Sequence, residues 1–148
     1  LQLVYGAFLA GHKAATAAPT WPDINGYFAP PGMMRKEEGL LNLVDNRMLI
    51  HFVHRSLAYL LFILVTLLTI RLYRIRGNSL LSRTRWWPMA LVSVQVLLGI
   101  LAVLNSTRTV PNQWGVFEWV AQLHQLIAML LLISLVWFLY LVRSRSRH

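Results

Sequence analysis

The stretch that decides the fold is Met48-Leu49-Ile50-His51-Phe52-Val53-His54-Arg55-Ser56-Leu57-Ala58-Tyr59-Leu60-Leu61, continuing as FILVTLLTIRL to Leu72. It is a nearly unbroken apolar run, and about 20 such residues suffice for a helix to cross a bilayer. Two further stretches have the same character, from Trp86 to about Leu104 and from Trp119 to Val142. The opening LQLVYGAFLA is apolar but too short to cross, so residues 1–12 read as the end of a span whose beginning lies upstream. No basic segment precedes it, which argues against a signal peptide. The expected fold is all-α, a polytopic transmembrane four-helix bundle whose first helix is truncated.

Composition agrees. Of 148 residues, 57% are hydrophobic and 13% charged, with a net charge of +9 and no Cys. A soluble domain carries roughly 25% charged residues. The apolar content excludes disorder, and the absence of Cys excludes a disulfide scaffold or zinc-thiolate site. Basicity on its own suggests nucleic acid, but the charge is sorted by loop. The connection 73–85 holds Arg74, Arg76, Arg83 and Arg85, with Arg71 at its edge, and the tail holds Arg143, Arg145 and Arg147. Neither contains an acid. Asp23, Glu37, Glu38, Asp45 and Glu118 all fall in the other two connections. Lys and Arg in short loops mark the cytoplasmic side. The arginine loop and C-terminus are therefore expected inside, with the outer loop 13–46 and the connection 106–118 outside. The partner implied by this charge is a lipid membrane, not nucleic acid.

The outer loop is rich in turn residues and aromatics from Pro19 to Phe28. From Met33 to Val44 apolar residues are mixed with charges, as in a short helix lying on the interface. Such a loop could cap whatever lies between the outer ends of the spans.

An internal repeat singles out one depth. His54 and His124 both open the pattern H-x-x-x-A-x-L-L, with Ala58 and Ala128 one turn further on. Gln2 to Gly6 and Gln95 to Gly99 both read Q-x-x-x-G. At 1.5 Å per residue, His54 and His124 lie about 9–10 Å below the outer ends of their spans, and Gly6 and Gly99 fall at roughly the same level.

A histidine inside a span is costly and points to function. It can also serve as a hydrogen-bonded contact between helices, with small residues as close-packing points. A proton relay would call for carboxylates, and the spans hold none. Zinc or copper would need a further ligand, for which only His51 is available. Axial ligation of a heme takes one His from each of two facing helices. Gly6, Gly99, Ala58 and Ala128 would then clear space for the macrocycle. Arg55 could pair with a heme propionate or snorkel to the interface. Gln122 and Gln125 flank His124 without a decided role, and His12 and His148 receive none.

At these residues the sequence resembles the heme A synthase family. The resemblance rests on Gly6-Ala7-Phe8-Leu9-Ala10-Gly11, Thr20-Trp21-Pro22, Asn46 to Arg55, Gln95 to Ile100, and Leu123-His124-Gln125. These fall in order and cover nearly the whole chain, on the pattern of the family's C-terminal half. It implies eight spans in two similar bundles and oxidation of the C8 methyl of heme O to the formyl of heme A. It further implies a b-type heme (iron) held by the residues matching His54 and His124. Heme O synthase or cytochrome oxidase assembly proteins are the implied partners, and the bacterial cytoplasmic membrane is the implied location. The substrate-holding half is not in these residues, so this stretch alone is not expected to catalyse. His51 and Val53 stand where C-terminal halves often have Gln and Asp, and the outer-loop cysteine pair of some members is missing. A non-enzymatic b-type membrane cytochrome that carries electrons is the alternative.

Overall fold

The computed structural model describes residues 1–75, 79–109 and 112–145; Arg76, Arg147 and His148 lie outside the described residues. The described chain is helical: α1 (Gln2–Gly11), α2 (Asn42–Asp45), α3 (Arg47–Arg74), α4 (Ser79–Thr84), α5 (Trp87–Asn105) and α6 (Val116–Arg145), with 3₁₀ turns at Ala14–Ala17 and Lys36–Leu41. The segments Arg47–Arg74, Leu80–Asn105 and Val116–Arg143 are each long and apolar enough to cross a membrane, while Gln2–Gly11 is a shorter apolar helix. The fold is an all-α, polytopic transmembrane four-helix bundle with a short first helix.

The helix starts follow local chemistry. Asn46 caps α3, its side-chain oxygen accepting from the backbone N–H groups of Met48 and Leu49 at 3.0 and 3.2 Å. Its amide donates to the Gly32 carbonyl and to Asn42 Oδ1, tying the outer loop to the helix start. Pro88 lies in the first turn of α5, where its missing N–H costs no helical bond.

Packing is pairwise. α1 lies against α3, α5 against α6, and α3 joins the two pairs through α5. Val65, Val92 and Leu131 meet in one buried layer, and Leu72, Leu81 and Phe138 form a second. Thr66, Thr69, Ser93 and Ser134 direct their hydroxyls to carbonyls of their own helices at 2.8 Å. That satisfies a polar group where lipid offers no partner.

The outer loop folds over one end of the bundle. Ala14, Ala15 and Ala18 are buried, and Ser106 at the end of α5 donates to the Ala15 carbonyl at 3.0 Å. A tight turn follows, in which Ile24 and Tyr27 exchange backbone hydrogen bonds around Asn25 and Gly26, both at positive φ. Asn-Gly suits a turn of this kind, because both central residues must adopt the left-handed conformation. Beyond it, the charged and apolar stretch forms only the 3₁₀ turn and the four-residue α2, with Met34, Leu40 and Leu41 exposed.

Candidate functional site

The glutamine–glycine helices each receive one histidine. His54 of α3 sits against α1, where the Gln2 side-chain amide donates to His54 Nε2 at 3.3 Å. His124 of α6 sits against α5, where the Gln95 amide donates to His124 Nε2 at 3.1 Å. The glycine one turn along makes room for each ring. A Cβ on Gly6 would stand 3.3 Å from His54 Cε1, and one on Gly99 would stand 3.1 Å from His124 Cε1. The same two-residue device therefore holds both imidazoles.

The site is polar in a way the rest of the spans are not. Among the described residues, buried side-chain atoms without a hydrogen-bond partner are His54 Nδ1, both ring nitrogens of His51, Gln2 Oε1 and Gln95 Oε1. Unsatisfied polar atoms are costly in an apolar interior. Their restriction to the residues around this histidine pair marks a place built for something besides packing. Ala58 and Ala128 follow one turn further along the histidine helices and are partly buried.

Arg55 has partners that sequence reasoning missed. It is 9% exposed, so it does not snorkel into water. Nη1 donates to the Asp23 carbonyl at 2.6 Å, and Nη2 donates to the carbonyls of Thr20 at 2.6 Å and Ala18 at 3.3 Å. The guanidinium thus draws the Thr20-Trp21-Pro22 loop onto α3. Asp23 stabilises the same loop, its carboxylate accepting from Thr20 Oγ1 at 2.7 Å and from the Gly26 N–H at 2.8 Å. The Thr20 hydroxyl first, then the Gly26 amide, hold the Asp23 carboxyl below its ordinary value of 3.8.

The structure also places three residues left without a role. Gln122 and Gln125, adjacent to His124 in sequence, are exposed, and the amide that reaches the ring comes from Gln95. The Q-x-x-x-G repeat was the available signal for this. His12 has a structural role after all, bridging the Phe8 carbonyl at 3.0 Å and Asp45 Oδ1 at 3.2 Å. No group of three or more His, Cys, Asp or Glu side chains is gathered as for a metal ion among the described residues.

Together these features define a polytopic membrane protein with a partly buried histidine held in each of two packed helix pairs and a loop docked over one end of the bundle. The chain belongs to the COX15-CtaA family of cytochrome oxidase assembly proteins, which matches residues 1–136. It is 30% identical over 132 residues to the heme A synthase of Bartonella henselae, covering 89% of this chain and 34% of that protein. The heme A synthases of Azorhizobium caulinodans and Rhodospirillum centenum are each 36% identical to it, over 136 and 143 residues. These matches cover 90% and 97% of this chain and 36% of each relative. The chain thus spans about a third of the length of these relatives. No solved structure matches it.

Proposed function

We propose that this chain is the C-terminal, heme b-binding half of a heme A synthase, with His54 and His124 as the two iron ligands near the outer face. The observation that supports this best is the duplicated clasp: two imidazoles, each facing a glycine and a glutamine amide on a neighbouring helix. The donor set fits the group. Neutral imidazole is an established axial ligand of heme iron, and it is held here by facing helices in an otherwise apolar site. His124 Nδ1 donates to a backbone carbonyl, the usual outer partner of a metal-ligating histidine, which leaves the Nε2 lone pair as the donor. Gly6 and Gly99 give the two imidazoles their room, and Ala58 and Ala128, one turn further on, are the small side chains left beside the ligands for a flat macrocycle.

A heme bound there would supply one-electron redox chemistry. The protein's own part is to orient the imidazoles, keep water out and hold the outer loop closed. Arg55 and Asp23 serve that closure, and the two guanidinium N–H groups of Arg55 left over from the loop carbonyls can meet a propionate. The intact protein would oxidise the C8 methyl of heme O to the formyl of heme A, in the bacterial cytoplasmic membrane beside heme O synthase or cytochrome oxidase assembly partners. The arginine-rich loop and the C-terminus would face the cytoplasm.

A second reading is a b-type cytochrome that only carries electrons. It uses the same histidine pair and differs only in what the bound heme would serve. A reduced-minus-oxidised absorption spectrum of the purified protein tests the shared claim. Well-folded protein without a b-type signal would sink both readings. Extracting hemes from membranes with and without the gene then separates them, since only the synthase reading predicts heme A formed at the expense of heme O.

A further inference from the structure

The two histidines are alike in sequence pattern but are not held alike. Gln95 grips His124 at both ring nitrogens. His124 Nδ1–H donates to the Gln95 backbone carbonyl at 3.0 Å, while the Gln95 side-chain amide donates to Nε2 at 3.1 Å. A carbonyl can only accept, so the proton sits on Nδ1 and the lone pair on Nε2. In an α-helix the carbonyl of residue 95 is also the acceptor for the amide of residue 99. Residue 99 is the glycine, and its missing Cβ opens the way to that carbonyl. A Cβ there would stand 3.1 Å from His124 Cε1 and 3.6 Å from Nδ1.

His54 is held more loosely. The Gln2 amide reaches Nε2 at 3.3 Å, and Nδ1 is buried with no partner. Gly6 leaves its ring slightly more room, with Cβ distances of 3.3 Å to Cε1 and 3.8 Å to Nδ1. A metal-bound imidazole whose second nitrogen donates to a carbonyl is fixed in tautomer and orientation, and is more basic. His124 has that support at 3.0 Å, whereas the corresponding Gln2 carbonyl beside His54 falls short of hydrogen-bond geometry to Nδ1.

We infer that the two imidazoles are unequal iron ligands. His124 is the anchoring ligand, with Gln95 and Gly99 as its positioning residues. His54 is the replaceable ligand, whose place on the iron can be taken by a small neutral donor such as imidazole or carbon monoxide. The inference rests on the heme reading above and adds to it an order of ligand strength.

The test uses the heme-containing protein purified in detergent, with His54→Ala and His124→Ala variants of matched helical content. His54→Ala should retain its heme in a high-spin form that turns low-spin with added imidazole and binds carbon monoxide when reduced. His124→Ala should lose heme affinity by tenfold or more, on the order of 10–100-fold for lost metal support. Gly99→Ala should weaken heme retention by about tenfold, and Gly6→Ala by less. Equal loss from both histidine variants, or the reverse order, would overturn the inference.

If either alanine variant fails to fold, nitrogen-15 histidine spectra of the reduced wild-type protein decide the matter. The expectation is a hydrogen-bonded, slowly exchanging Nδ1–H on His124 and none on His54. Matching signals from both rings, or none from His124, would contradict it. Wild-type protein without heme absorption would instead refute the parent reading, and the ring N–H spectra would still report whether the two imidazoles are held differently.

Discussion

Arg55 carries a positive charge into a nearly water-free position and spends it on three backbone carbonyls of the outer loop. Hydrogen bonds to a charged group are worth about 1.5–3 kcal/mol each when formed away from water. The planar fork matters as much as the charge, because an ammonium cannot span carbonyls approached from two nitrogens. Arg55→Lys should therefore destabilise the protein by about 2 kcal/mol, and Arg55→Ala by somewhat more. Thermal unfolding in detergent measures this, and trypsin should cut near Lys13 and Arg35 more readily in both variants. Asp23 gives the same loop a pH dependence. Its folded carboxyl is held below the ordinary value, so the stabilisation is fully present above about pH 4 and is lost as pH falls through the folded value. Pepsin cleavage of the outer loop should rise as pH drops through about 4 toward 2, and Asp23→Asn should remove that dependence. Neither residue's task could be read from sequence. Arg55 stood beside a candidate ligand, but its partners are carbonyls whose positions depend on how a 34-residue stretch folds back.

At the scale of the helices, more could be read. The spans are apolar all round, so no amphipathic stripe tells which face meets which neighbour. The exceptions were the few polar and small residues, and their spacing was informative. Gln and Gly four apart, set against His, give the α1–α3 and α5–α6 contacts directly. The inner layers left no such mark, because Phe138 and Leu72 look like any other apolar residue in a span. Lipid is as apolar as the protein interior, so burying Phe138 gains no hydrophobic transfer energy, only contacts. Phe138→Ala should then cost chiefly the cavity term, about 2 kcal/mol at ~24 cal/mol per Å³. The unfolding midpoint should drop accordingly. Phe138 packs with Leu72 and Leu81, well along the bundle from the histidines, so on the heme reading proposed above the visible spectrum at room temperature should not change.

The whole molecule poses one question that charge answers before geometry does. One set of connections holds arginines and no acid, and the other holds every acid of the chain. Such a bias orients short loops, since basic residues resist transfer across the membrane. The docked outer loop gives the bias a consequence. If residues 13–46 lie outside, Arg55 and Asp23 close the bundle toward the exterior, and the histidine pair lies beneath that closure, close to the outer surface. The absence of cysteine makes the test clean. Phe28→Cys places one thiol on a residue that is 87% exposed in the outer loop, and Arg83→Cys places one on an exposed residue of α4. With a membrane-impermeant maleimide, intact spheroplasts should label the first and spare the second until the membrane is permeabilised. Labelling only of Arg83→Cys in intact spheroplasts would invert the orientation, and would put the loop, Arg55 and the histidine pair on the cytoplasmic side together.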